Sequence, residues 1–318
     1  MQFELEMIKL LQQLRSDFFD ALFQFFTMFG EELVIIGILG FLYWVYDKKV
    51  GERVGIIVFI SLVLNGVIKT LFRRLRPYQV DAEIVNIRPE TAGGYSFPSG
   101  HTQGAATVFS SLAFYLKKRW LNIVVGVIIF LVAVSRLYIG VHYLTDVVVA
   151  VILGVGLSYV FYKFFSGKED LSKVYQWTLL ASFCLLAIVY VIHLFTPESI
   201  GEMTNAHVFF DRLEDGFKMT GAMLGFVIGL GFERKYTNFT NHRNIQKNII
   251  RFVLGVGVVM GIRLALSFVF DMIINPEDLL TGQFFLSTIA LFLDMIRYAS
   301  MVFVAIGVFP LLFKKWKI

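Results

Sequence analysis

Residues 135–146, SRLYIGVHYLTD, run directly into the apolar stretch VVVAVILGVGLSYVFY and decide how this chain is interpreted. They place Arg136, His142 and Asp146 at the mouth of a predicted membrane helix. A helix that begins near Gly140 puts His142 and Asp146 four residues apart on one face, where the carboxylate holds the imidazole. That hydrogen bond fixes the tautomer and leaves the other ring nitrogen with an outward lone pair, as a nucleophile or base requires. An ordinary structural contact between His142 and Asp146 would explain the same four-residue spacing equally well.

The composition is that of an integral membrane protein. Of 318 residues, 57% are hydrophobic and 17% are charged, and the mean hydropathy of +0.71 exceeds that of ordinary soluble domains. The single cysteine, Cys184, lies in an apolar run, which excludes a disulfide framework and a thiolate metal site. The net charge of +5 comes from short basic clusters between apolar runs, which indicates membrane topology and no nucleic-acid partner.

Nine apolar runs predict an all-α fold, a polytopic membrane helix bundle of about nine transmembrane helices. The preceding segment, residues 1–30, is amphipathic and too polar to span, so we expect it to lie at the membrane interface. Residues 31–165 form the predicted catalytic core, and residues 170–318 form a C-terminal extension of four helices. The predicted spans are 31–46, 53–72, 99–116, 120–137, 141–162, 174–195, 216–232, 248–272 and 284–312.

Basic residues concentrate in alternate loops and at the C-terminus, which predicts the orientation. The positive-inside rule places these sixteen residues in the cytoplasm. The opposite loops are mostly acidic, with Glu198, Glu202, Glu277 and Asp278 among their charges. We therefore expect a multi-pass cell-membrane protein with an outer N-terminus and a cytoplasmic C-terminus. The sixteen residues are Lys48, Lys49, Arg53, Lys117, Lys118, Arg119, Lys163, Lys168, Lys173, Arg234, Lys235, Arg243, Lys247, Lys314, Lys315 and Lys317.

Two further motifs lie at span ends. Residues 69–77, KTLFRRLRP, end the second span with a basic cluster, and residues 97–101, FPSGH, lead into the third. Ser99 is an expected N-cap, so the first helical amides point at the loop. Taken separately, each motif also has a structural explanation. The basic cluster can be a helix end whose long side chains reach the membrane surface, and Ser99 can be an ordinary helix cap. Because even numbers of spans separate them, all three motifs meet on one membrane face, which the charge pattern makes the extracytoplasmic one.

Together the motifs predict a phosphate site made of cations, helix N-terminal amides, two imidazoles and one carboxylate. Guanidinium groups pair with phosphate oxygens, one histidine attacks phosphorus, and the other protonates the leaving oxygen. The side chains expected to meet are Lys69, Arg76, Arg136, His101, His142 and Asp146.

The three motifs resemble the signature of the type 2 phosphatidic acid phosphatase (PAP2) superfamily: K-x6-RP, PSGH and SR-x5-H-x3-D. Every signature position is matched within residues 69–146. The resemblance implies that His142 forms a phosphohistidine, that Asp146 orients it, and that His101 is the general acid. It also implies that no metal and no cofactor is needed, in agreement with a sequence that shows no carboxylate cluster. The residues implied to bind phosphoryl oxygens are Lys69, Arg76, Ser99, Gly100 and Arg136.

The resemblance favours a lipid phosphate monoester or diphosphate as substrate, of the phosphatidate, phosphatidylglycerophosphate or polyprenyl diphosphate type, whose tail enters between helices. Nine spans with an outer N-terminus are also similar to glucose-6-phosphatase, which keeps a soluble sugar phosphate open, and sphingosine-phosphate phosphatases also carry long C-terminal extensions. A third interpretation is a non-catalytic lipid phosphate transporter or scaffold, although it has no need of His101, His142 and Asp146 together. The membrane composition argues against the soluble vanadium haloperoxidases of the superfamily. Nothing in the sequence determines the oligomeric state.

Charges also occur within the predicted spans of the extension. Arg263 and Asp294 lie at similar predicted depth, so we expect them to pair, with Arg297 one turn deeper. A structural pin between helices and a substrate pocket both explain such a pair. In the core, residues 80–95 are predicted to form a lid. Candidates for additional phosphate ligands near that loop are Arg73, Arg74 and Arg88.

Overall fold

The regular secondary structure is helical in the part of the chain that its computed structural model describes, residues 1–195, 205–242, 244–274 and 284–316. Within those ranges no strand occurs, and the predicted all-α membrane fold is confirmed. The helices are α1 Gln2–Gln12, α2 Asp17–Thr27, α3 Glu32–Phe41, α4 Lys48–Phe72, α5 Pro77–Val80, α6 Gly100–Leu116, α7 Arg119–Tyr138, α8 Leu144–Phe165, α9 Ser172–Phe195, α10 Asn205–Tyr236, α11 Ile245–Ile273, α12 Phe284–Phe303 and α13 Pro310–Trp316.

Six of the described helices are long and apolar enough to cross a membrane. There are seven if Asp17–Gly30 and Glu32–Tyr46, which meet at a bend of 50°, form one span. The 17-residue α6 and the charge-bearing α10 are not among the six, so the count of nine spans stays a prediction. The predicted orientation also stays a prediction, and the acidic loop positions Glu198, Glu202, Glu277 and Asp278 lie outside the described residues.

The chain divides into two compact units, the first of which comprises Met1–Ile38 and Arg53–Lys168. Inside it, a Cβ atom added to Gly154 of α8 would lie 2.7 Å from Ala106 Cβ and 2.9 Å from the Gln103 carbonyl oxygen of α6. Only glycine allows the two backbones to approach so closely. This packing holds the N-terminal ends of α6 and α8 side by side, where Ser99 N donates to the Asp146 carbonyl at 3.2 Å.

The second unit comprises Leu39–Glu52 and Glu169–Ile318. Its helices α10 and α12 pack through glycines, since a Cβ atom at Gly221 or Gly225 would lie 2.2 Å from the carbonyl oxygen of Met295 or Ala299. The N-terminal segment thus groups with the motif-bearing helices, whereas residues 39–52 group with the extension. The predicted boundaries between residues 30 and 31 and between 165 and 170 stay predictions.

The predicted ion pair between Arg263 and Asp294 is wrong. Asp294 pairs with Arg297, three residues further along α12, and Arg297 Nη1 donates to Ser267 Oγ of α11 at 3.0 Å. The predicted depths of the two residues placed Arg263 opposite Asp294 on a neighbouring helix. Arg297, however, lies one turn from Asp294 on the same helix and is already within reach of its carboxylate. A second pair of this kind, Lys218 with Glu214 at 2.5 Å, lies along α10.

Candidate active site

The turn between α7 and α8 carries the third motif. Gly140 has φ +82°, and a Cβ atom there would lie 2.5 Å from the Val85 carbonyl oxygen, so the helix cannot start at Gly140 as predicted. Instead α8 starts at Leu144, and the Asp146 carboxylate accepts from Tyr143 N at 2.8 Å, as an N-terminal cap does. His142 therefore precedes the helix, and the turn, not a shared helical face, brings it to Asp146.

His142 is held with its two ring nitrogens in different surroundings. Nδ1 lies 3.5 Å from Asp146 Oδ2 and 3.4 Å from Ser96 Oγ, while Nε2 lies 3.4 Å from Arg76 Nη1. A guanidinium only donates hydrogen bonds, so Nε2 is the nitrogen with the lone pair and Nδ1 carries the proton. The carboxylate and the imidazole thus lie close together, with the lone pair beside a cation, and the hydrogen bond between them stays a prediction.

Electrostatics keep this imidazole neutral. Burial, followed by the positive charges of Arg76, Arg136 and Lys69, lowers the pKa of His142 well below its ordinary value. A neutral ring is the form that attacks phosphorus, since the protonated ring has no free lone pair. The same three cations are the ones that the first and third motifs were predicted to contribute.

Arg76 and Arg136 are buried, and oxygens of the loop before α6 are among those that orient them. Arg76 donates to the carbonyl oxygens of Gly93 at 2.5 Å and Gly94 at 3.1 Å. Arg136 donates to Thr27 Oγ1 at 2.8 Å and to the Thr91 carbonyl at 3.2 Å. These contacts with the protein's own oxygens orient both guanidinium groups. They also show that the predicted lid, residues 80–95, contacts the two arginines directly.

The start of α6 brings in the second motif. Ser99 is the N-cap, as predicted, and its hydroxyl accepts from Thr102 N at 3.4 Å. A Cβ atom at Gly100 would lie 3.9 Å from Lys69 Nζ, so the ammonium group stands beside the first amides of the helix. A helix N-terminus with an adjacent cation is a favourable place for an anion.

His101 lies in the first turn of α6, against Gly30. A Cβ atom at Gly30 would lie 2.5 Å from the His101 carbonyl oxygen and 2.9 Å from its Cβ, so only glycine fits there. Its ring nitrogen Nε2 is buried and has no hydrogen-bond partner among the described residues. A buried polar nitrogen without a partner is costly, and a leaving-group oxygen at that position would satisfy it.

The sequence did not single out the residues that support the motifs. Ser96 Oγ donates to Asp146 Oδ2 and lies beside His142, yet a loop serine carries no pattern that distinguishes it. Asn65 bonds Gln103 at 2.8 Å, and Gln103 donates to the Ser61 carbonyl at 2.7 Å, which ties α4 to α6. The occurrence of Asn65 and Gln103 within apolar runs was a usable signal, because buried amides need partners.

The extra arginines have structural partners. Arg74 donates to Asp146 Oδ1 at 2.8 Å and to Glu4 Oε2 at 2.7 Å, so it contacts carboxylates. Arg88 pairs with Glu31 at 2.6 Å, and Arg73 Nε donates to the Thr70 carbonyl at 3.1 Å. The role of these three arginines as additional phosphate ligands stays a prediction.

Within the described ranges, no three His, Cys, Asp or Glu side chains cluster as a metal site would require. The implied absence of a metal or cofactor requirement stays a prediction.

Comparison with known proteins matches two family models. Residues 53–170 match the PAP2 superfamily, and residues 217–318 match the transmembrane extension of PAP2 superfamily phosphatases. A crystal structure of a transmembrane PAP2 type phosphatidylglycerolphosphate phosphatase from Bacillus subtilis is 27% identical, with a TM-score of 0.45 over 53% of this chain and 87% of that chain.

Two curated relatives are similar to the motif-bearing half. Phosphatidylglycerophosphatase B of Bacillus subtilis is 34% identical over 38% of this chain, and the match spans 62% of that relative's length. An undecaprenyl-diphosphatase of Sulfolobus acidocaldarius is 30% identical over 49% of this chain and 76% of its own length. The chain therefore belongs to the PAP2 superfamily of membrane phosphatases.

Proposed function

We propose that this protein hydrolyses a lipid phosphate monoester or diphosphate through a phosphohistidine on His142. The observation that carries the proposal is the orientation of this ring: Nδ1 faces Asp146 and Ser96, and Nε2 lies 3.4 Å from Arg76 Nη1. A nucleophilic nitrogen beside a fixed guanidinium is the arrangement that phosphoryl transfer requires.

In the first step His142 Nε2 attacks phosphorus and the bond from phosphorus to the leaving oxygen breaks. His101, protonated once the anionic substrate is bound, gives its proton to that oxygen. Arg76, Arg136, Lys69 and the amides after Ser99 stabilise the charge on the phosphoryl oxygens. In the second step His101 takes a proton from water, the resulting hydroxide attacks phosphorus, the bond to Nε2 breaks, and inorganic phosphate leaves.

A lipid is the favoured substrate because of the setting of the site and the names of the relatives. The site lies at the N-terminal ends of α6 and α8 in a helical unit whose surface is rich in exposed apolar side chains. The two curated relatives are named for a phosphatidylglycerophosphate and for undecaprenyl diphosphate. The resemblance to glucose-6-phosphatase depends on a count of nine spans, which stays a prediction.

Phosphate release by purified protein tests the proposal. We expect turnover of phosphatidate, phosphatidylglycerophosphate or a polyprenyl diphosphate to exceed that of glucose 6-phosphate, and to persist in EDTA. His142→Ala should abolish it in a protein that still elutes as a folded species. Turnover of glucose 6-phosphate alone would move the substrate class to sugar phosphates, and EDTA-sensitive turnover by His142→Ala would exclude the mechanism.

We also propose that the site faces the extracytoplasmic side. The only cysteine, Cys184, can be replaced by serine, which gives a background for single new cysteines. Glu83 follows the first motif and Glu169 follows α8, and their side chains are 76% and 81% exposed. We expect a membrane-impermeant thiol reagent to label Glu83→Cys and not Glu169→Cys in intact cells. The reverse labelling would place the site in the cytoplasm.

A further inference from the structure

Asp146, which faces His142, is itself held by a side chain outside the signature positions. Its Oδ2 accepts from Ser96 Oγ and from Tyr143 N, while its Oδ1 accepts from Arg74 Nη1 at 2.8 Å. Asp146 is fully buried, so its negative charge needs a fixed positive partner. Arg74 supplies that charge on the side away from the imidazole.

Arg74 is fixed in turn by Glu4 of the N-terminal helix α1. Its Nη2 donates to Glu4 Oε2 at 2.7 Å, and its guanidinium lies 3.7 Å from the centre of the Tyr143 ring. Glu4 Oε1 accepts from both Thr145 N and Thr145 Oγ1 at 2.8 Å, in the first turn of α8. One guanidinium therefore bridges two carboxylates, and its planar fork fixes the direction of both contacts, whereas the donors of a lysine rotate freely.

The helix α1 is attached firmly enough to position Glu4. Gln12 exchanges two hydrogen bonds with the backbone of Val85, at 2.8 and 3.0 Å, and Lys9 pairs with Asp81 at 2.8 Å. Burial alone would raise the pKa of Glu4, but hydrogen bonds from Thr145 and Arg74 lower it below its ordinary value, so Glu4 is ionised at neutral pH. The first helix thus places a permanent negative charge behind Arg74.

We propose that Glu4 is a positioning residue of the active site, which acts through Arg74 on Asp146 and thereby on His142. The inference rests on the proposed function, because it concerns phosphoryl transfer to His142. The ring gains positive charge when it takes the phosphoryl group, and Asp146 stabilises that charge. Without Glu4 the guanidinium pairs with Asp146 alone, so the carboxylate is both less well oriented and more strongly neutralised. The loss falls on the chemical step, since Glu4 is not among the groups around the phosphate.

The test compares Glu4→Gln, Arg74→Gln and the double variant with a matched control. Glu6→Gln is that control, because Glu6 lies on the same helix with a side chain 64% exposed and a long 3.8 Å contact to Lys9. We expect kcat to fall about 10-fold in Glu4→Gln and about 100-fold in Arg74→Gln, as for other supporting residues of active sites. KM should stay within about twofold. Glu6→Gln should match the wild type.

If Glu4 acts through Arg74, the two losses do not add, and the double variant is no slower than Arg74→Gln. Inhibition by inorganic phosphate should be unchanged in Glu4→Gln, which shows an intact anion site and excludes general misfolding. Should Glu4→Gln fail to fold, Glu4→Asp, which keeps the charge but shortens the reach to Arg74, is expected to lower kcat with KM unchanged.

A wild-type kcat in Glu4→Gln, additive losses, or a loss in KM alone would overturn the inference. His142→Ala separates this failure from that of the proposed function. If His142→Ala is inactive and Glu4→Gln is fully active, only the role of Glu4 is excluded. If His142→Ala is active, the phosphohistidine mechanism is excluded.

Discussion

The two compact units use buried charge in different ways. In the extension, Arg297 and Lys218 contact carboxylates one turn away on their own helices, at Asp294 and Glu214. In the motif-bearing unit, Arg76 directly precedes α5 and Arg136 lies near the end of α7, and the contacts that orient them include carbonyl and hydroxyl oxygens.

The difference teaches how the neighbours of a cation affect the charge that it presents. A carboxylate one turn away cancels the charge of the cation, which suits a structural pair. A neutral carbonyl or hydroxyl oxygen orients a guanidinium without cancelling its charge, which suits a site for an anion.

Removing an oriented cation should have the largest effect on activity. We expect Arg76→Ala to lower kcat/KM about 10³-fold, because it removes a donor to the phosphoryl oxygens and the neighbour of His142 Nε2. Phosphate-release kinetics measure this. The matched control is Arg53→Ala, whose exposed guanidinium donates to the Lys168 carbonyl at 2.6 Å and should leave kcat/KM unchanged. Equal losses in both variants would show that Arg76 contributes no more to kcat/KM than the exposed Arg53 does.

Replacing Ser96 tests the contact that the sequence did not reveal. Ser96→Ala removes the hydroxyl between Asp146 and His142, so we expect kcat to fall about 10-fold. Ser110→Ala is the control, because the hydroxyl of this buried serine bonds the Ala106 carbonyl of its own helix at 2.5 Å. Unchanged turnover in Ser96→Ala would mean that Asp146 orients His142 unaided.

Breaking a pair in the extension should affect stability and not turnover. Asp294→Asn leaves the partly buried Arg297 without this carboxylate, so we expect a loss of about 3 kcal/mol in the free energy of unfolding. Thermal unfolding in detergent, together with kcat/KM of the folded fraction, measures both quantities. Glu169→Gln, from an exposed pair with Lys49, is the control and should change neither. A changed substrate preference in Asp294→Asn would instead support a pocket in the extension.

The smallest effect is on the pH dependence of stability. The pKa of His142 is depressed in the folded state, so the unfolded chain binds this proton more readily. The stability associated with the neutral ring is therefore present above the ordinary histidine pKa of about 6.5 and is lost as the pH falls from there towards the depressed value.

We expect His142→Gln to lose less stability than the wild type between neutral and acidic pH, measured by thermal unfolding. His242→Gln, in an exposed loop, should keep the wild-type slope. Identical slopes in all three proteins would show that His142 does not titrate as the geometry requires.

The sequence was sufficient for those features that depend on composition and local pattern. Apolar runs located the helices, and Ser99 was identified as a cap. The start of α8 was misplaced because the run of apolar residues continues through Gly140, whereas a left-handed turn and the Asp146 cap set the actual boundary.

Contacts between distant loops had no local signal. Ser96 is one serine of an irregular loop, and Glu4 lies 70 residues before Arg74 in a segment that its amphipathic pattern assigned to the membrane interface. The packing of α1 reveals the contact of Glu4 with Arg74, and the path of the loop before α6 reveals the contact of Ser96 with Asp146.

Mass-spectrometric mapping of the covalent intermediate tests the central claim most directly. Wild-type protein mixed with a lipid phosphate substrate and quenched within one turnover should carry an acid-labile phosphoryl group on His142, and His142→Ala should carry none. A phosphoryl group on another residue, or turnover by His142→Ala without one on any residue, would contradict the account.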